Sequence, residues 1–202
     1  MTTQVQICNR ALTNYVGKGR INSIDENTPA ARQCKINYDD TLQTVLEMHD
    51  WLFARSRPAL ALLANDRPDE WCYRYKKPNA ALAIRWVNDP LVAHEAIQRN
   101  DDPQAPVQIE GDSIYSDVPD AYASITVLIE DTSKFPMYFA NCFSAMLASN
   151  IAFILTEDMK RVRGAMDQFT MLLDLGAALD ENMEPAQTIF NAPDWLTDRG
   201  IS

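Results

Sequence analysis

Histidine is almost missing from this chain, which has two, His49 and His94. That excludes a three-histidine metal centre and leaves few bases for a serine or cysteine nucleophile. Cysteine is sparse: Cys8, Cys34, Cys72 and Cys142 stand far apart, with no CxxC and no metal-ligand spacing, so neither a zinc site nor a redox motif is signalled. They read as small buried hydrophobes in a reducing compartment. Positive charge is also short. Against 28 Asp and Glu there are 18 Lys and Arg, a formal net charge of -10, which argues against coating nucleic acid. The densest basic cluster, Lys160-Arg161-x-Arg163, lies among Glu157, Asp158 and Asp167 and reads as solvated helix surface. No apolar run approaches the roughly 20 residues of a bilayer span. The nearest, 135–155, is interrupted by Asn141, Ser144, Ser149 and Asn150. With no basic start followed by an apolar stretch, the pattern predicts synthesis in a cytoplasm and no membrane partner.

What is present is core-forming material. Of 202 residues, 47% are hydrophobic, including four Trp and seven Phe, enough for one substantial core. Val5, Cys8, Leu12 and Tyr15 form one helical stripe that Gly17-Lys18-Gly19 stops. Thr28 and Pro29 are an N-cap and N1 pair for a second helix carrying Cys34, Tyr38, Leu42, Val45 and His49. From Trp51 to about Glu130 proline recurs and helical periodicity is lost. Strands are predicted at Trp71–Tyr75, Leu82–Val87 and Ser124–Ile129, with a hairpin at 107–116 turning at Gly111. Asp131-Thr132-Ser133 offers caps for a third helix that is apolar nearly all round. A fourth runs from about Glu157 to Glu181, with Val162, Met166, Phe169, Leu173 and Ala177 on its stripe.

The expected fold is α+β: an antiparallel four-helix bundle core (1–50 and 131–183), an inserted small antiparallel β subdomain (51–130) and an extended C-terminal arm (184–202), all in one domain. Strand alternation predicts that Trp71, Tyr73 and Tyr75 share a face and pack the β subdomain on the helices or on a neighbouring subunit. In the arm, Phe190, Trp195 and Leu196 are apolar residues without periodicity, expected to dock either back on the chain's own bundle or on an adjacent subunit or other partner.

Enzyme signatures are lacking. GxSxG, a Walker loop, HExxH and GxGxxG are all absent, and Gly17-Lys18-Gly19-Arg20 lacks the strand and the trailing Lys-Ser/Thr of a phosphate loop. The many carboxylates leave open a glycan hydrolase using an acid and nucleophile pair, provided two meet beside a cleft. No catalytic residue, metal or cofactor is assigned.

Ile7-Cys-Asn-Arg-Ala-Leu12, Ile21-Asn-Ser-Ile-Asp-Glu26, Ala31, Tyr38-Asp39 and His49-Asp-Trp-Leu-Phe-Ala54 resemble the tail tubular protein A family, the head-to-tail adaptors of T7-like short-tailed phages. Trp71-x-Tyr73-x-Tyr75-x-x-Pro78, the hairpin Ile109–Ser116 and Ile129-Glu-Asp-Thr-Ser look similar too, so the likeness spans about residues 5–180. One departure is at the hairpin, where the family often has a second glycine and Glu110 and Asp112 flank a single one here. The resemblance implies a non-enzymatic virion protein of the tail without cofactor. It implies a dodecameric ring of copies between the portal and a nozzle resembling tail tubular protein B, with viral DNA passing through the lumen unbound. A second non-enzymatic expectation is an assembly factor that leaves before the particle matures.

Overall fold

The computed structural model describes residues 2–88 and 106–183. Thr3 opens helix α1 (Gln4–Arg10) with a capping box: its hydroxyl accepts from the Gln6 amide and the Gln6 side chain accepts from the Thr3 amide. The helix then widens into a π segment, Ala11–Val16, and stops at Gly17, whose φ of 71° lies in the left-handed region. This widening shifts the buried stripe to Ile7, Cys8, Ala11, Leu12 and Val16, leaving Val5 and Tyr15 partly exposed. Helix α2 (Pro29–Met48) begins as its sequence predicts, with Thr28 accepting from the Ala31 amide and Pro29 at its first position.

Among the described residues seven strands follow: β1 (Arg55–Ser56), β2 (Ala61–Leu63), β3 (Tyr73–Lys76), β4 (Ala81–Asn88), β5 (Val107–Glu110), β6 (Ser113–Ser116) and β7 (Tyr122–Val127). They form one sheet in the order β1-β7-β4 and another in the order β2-β3-β6-β5. The β5–β6 hairpin pairs Glu110 with Ser113 across Gly111 (φ 54°) and Asp112. Asp131 caps a short 3-10 turn, Thr132–Lys134, so α3 (Met137–Thr156) starts only after Pro136 and has no side-chain cap. Glu157, at φ 54°, reverses the chain, and Asp158 caps α4 (Met159–Glu181).

The expected four-helix bundle with a small β subdomain is not what forms. Four helices and two antiparallel sheets make a mixed fold, with about 50% helix and 19% strand among the described residues. The first helix has too little regular length to be an equal bundle member. The β segment, in turn, has a core of its own: Leu60, Tyr75, Val87, Ile114, Tyr115, Ala121, Ala123 and Ile125 are buried. The chain divides into two compact units, one from Met1–Ser56, Ala80–Ala83 and Thr126–Glu184, the other from Arg57–Asn79 and Ile84–Ile125. In the first, Leu42, Val45, Leu46, Trp51, Phe139, Phe143, Leu147 and Ile151 form the centre of a continuous core. By length and composition α3 could cross a membrane, contrary to the sequence expectation, but 61% of its apolar window is buried in this core.

Candidate functional site

In the helical unit, Asp180 on α4 is 1% exposed. It accepts the Leu52 amide at 2.8 Å and the Tyr138 hydroxyl, with His49 Nε2 at 3.8 Å. Burial, then the bond to Asp180, pushes the Tyr138 phenol above its usual range. Beside this group Trp51 is fully buried, stacked on Tyr138 and donating its indole N–H to the Val45 carbonyl at 2.9 Å. The carboxylate is engaged by a backbone amide and a phenol, so the cluster fastens the end of α4 to the turn after α2.

On another face of α4 the chemistry is different. Gly164, Gln168, Met171, Leu175, Ala178 and Asn182 recur every three or four residues, and all are exposed. Leu179 joins this line, so Met171, Leu175 and Leu179, exposed by 56%, 55% and 42%, stand on successive turns. No charge interrupts the seam. Along one flank Lys160, Asp167, Asp174 and Glu181 follow at seven-residue intervals, one cation and then three carboxylates. The seam is thus an exposed, uncharged strip with a charged edge.

Carboxylates do meet at a cleft in the same unit. Asp39, Glu130 and Asp131, with Tyr38 and Thr132, line a hollow of about 530 Å³. The Ser133 side chain and backbone hold Asp131 below the usual carboxylate range, opposite to what an acid catalyst needs. Among the described residues no three His, Cys, Asp or Glu side chains are placed to hold a metal ion.

The three aromatic residues singled out in the β unit do not form one row. β3 begins at Tyr73, so Trp71 precedes the alternation, and its indole N–H donates to Gln108 at 3.2 Å. Gln108 pairs with Tyr115 and Tyr115 with Arg74, the face opposite Tyr73 and Tyr75. Tyr73 and Tyr75 do share a face, their rings 6.2 Å apart. Tyr75 is buried and donates to the Val118 carbonyl, whereas Tyr73 is half-buried. Arg67 and Arg74 cover the Tyr115 ring on the other face, and Arg67 also grips Glu110. Phe190, Trp195 and Leu196 lie outside the described residues. The α4 seam was missed by sequence reasoning, although its heptad spacing was there to be found.

No protein-family model matches the chain, and no curated protein matches it.

Proposed function

We propose that this protein is a structural, non-enzymatic component of a short-tailed phage particle, a head-to-tail adaptor whose copies form a ring between portal and tail nozzle. The exposed seam of α4 carries the reading. Covering a Leu or Met side chain is worth about 1.5–3 kcal/mol, and three on consecutive turns supply the centre of an interface. The occupant is a second copy. The seam's flank is predominantly acidic, while α2 exposes Ile36 (63%) between Arg32 and Asp40, with Lys35 paired to Asp25. The apolar face of α4 meeting a different apolar face, on α2, is a heterologous contact, the kind that closes into rings. The resemblance supplies portal, nozzle and DNA passage. A net charge of -10 suits a lumen that DNA crosses without sticking.

Native mass spectrometry of the chain mixed with the phage portal tests this. Wild type should give a ring, and Leu175→Asp or Ile36→Asp should each abolish it with circular dichroism unchanged. A ring that survives both substitutions rejects the interface. If purified virions lack the chain, the adaptor role fails and a departing assembly factor takes its place. Steady release of reducing sugar from capsule polysaccharide, lost on replacing Asp39 or Glu130, would overturn the non-enzymatic assignment.

A further inference from the structure

A second hollow in the helical unit, about 420 Å³, is lined by Gln6, Asn9, Arg10, Thr13, Asn14 and Arg20 among others, and no carboxylate lines it. In a chain of net charge -10 this is a local reversal of sign. The two cations are not neutralised in place. Arg10 is held by neutral acceptors, Asn141 Oδ1 at 2.8 Å and Met137 Sδ at 3.5 Å, which fix its guanidinium and leave three of its five N–H donors over. Arg20 is exposed and has no hydrogen-bond or ion-pair partner among the described residues.

The neutral side chains are biased the same way, because the acceptor oxygens are already engaged. Gln6 Oε1 takes the Thr3 amide at 3.0 Å, Asn9 Oδ1 takes the Ile21 amide at 2.8 Å, and Asn14 Oδ1 shares the Thr13 hydroxyl at 3.1 Å. At Gln6 and Asn14 the NH₂ groups are unused donors, while each oxygen already accepts one hydrogen bond and keeps a second lone pair. The hollow therefore offers N–H donors and positive charge. Its complement is a ligand that only accepts, carries negative charge and has several oxygens.

We propose that this cleft binds a phosphate group, with Arg10 and Arg20 gripping its oxygens and the Gln6 and Asn14 amides completing the shell. The volume is that of a small-molecule site, so the group can arrive as a free phosphate or as one phosphodiester of a nucleic acid strand. This proposal does not depend on the adaptor role.

The test is a titration of the whole chain at constant ionic strength, following the arginine Nε–H signals by NMR. Inorganic phosphate is one probe and a short oligodeoxythymidylate the other. Saturable shifts with either, weakened about tenfold by Arg20→Gln, are expected, since one charge-assisted bond is worth that factor. Arg20 is exposed, so the fold should be unaffected. Tighter binding of the oligonucleotide, in competition with phosphate, assigns the site to nucleic acid; saturation by phosphate alone assigns it to the free anion. No saturation with either probe, or binding unaltered by Arg20→Gln and Arg10→Gln in folded protein, overturns the proposal.

Discussion

Asp180 sits buried with donors on several sides, and its removal leaves them without an acceptor. Asp180→Ala should lower unfolding stability by about 1–3 kcal/mol, read from urea denaturation, because a half-buried N–H and O–H lose their acceptor. Asp180→Asn, which keeps one acceptor oxygen, should lose less; equal midpoints for Ala and wild type would remove the fastening role. The Tyr138 phenol adds a pH dependence. Its folded-state pKa is raised, so its contribution is fully present below the unfolded value of about 10 and is lost as pH rises beyond it. Tyr138→Phe should therefore flatten the alkaline fall in stability. Thiols differ in the same chemical terms. Burial pushes Cys142 up to about 12, and a hydrogen bond with Cys34, then burial, raises Cys8, whereas Cys72 is exposed though raised by Asp117. Iodoacetamide at neutral pH should mark Cys72 in the folded chain and the other three only in urea, as peptide mass spectrometry will show.

Among the elements, those with strong local chemistry were legible. Thr28-Pro29 states the start of α2 in two residues, and Gly111 marks the hairpin by a φ that few other residues adopt. β1 and β2 were not legible, since strands of two and three residues are too short to show alternation. Nor was the packing side of α4. Apolar residues cover much of its circumference, so periodicity placed Met166 on the inner stripe, where the structure leaves it 43% exposed. Its buried side is partly written in a small residue instead. A Cβ at Gly176 would lie 3.3 Å from Trp51 Cη2, tighter than ordinary contact, so this glycine lets the indole in. Gly176→Val should destabilise the protein by about 1–3 kcal/mol through overpacking. A thermal midpoint within error of wild type would show that Trp51 can yield.

For the whole molecule, the proposed interface would join apolar faces of copies that each carry a net charge of -10, which predicts a particular response to salt. Ring formation should quicken as sodium chloride is raised, because screening relieves repulsion between like-charged copies. The apolar centre should still hold rings already formed, and both trends can be followed by light scattering. Slowing by salt would point instead to opposite charges facing each other across the interface. The overall fold was only partly legible for a related reason: sequence patterns report which faces are apolar, but do not say whether the chain's own core or a neighbour covers them. Met171 turns that ambiguity into a chemical record. Its thioether is open to peroxide in the free chain, and sulfoxide formation would place a polar, chiral group in the middle of the seam. Oxidative damage to the unassembled protein would thus strike the surface proposed for joining, while in such a ring each subunit in place would shield its neighbour's sulfur. The ratio of sulfoxide to thioether at this position would date when a given copy became occupied.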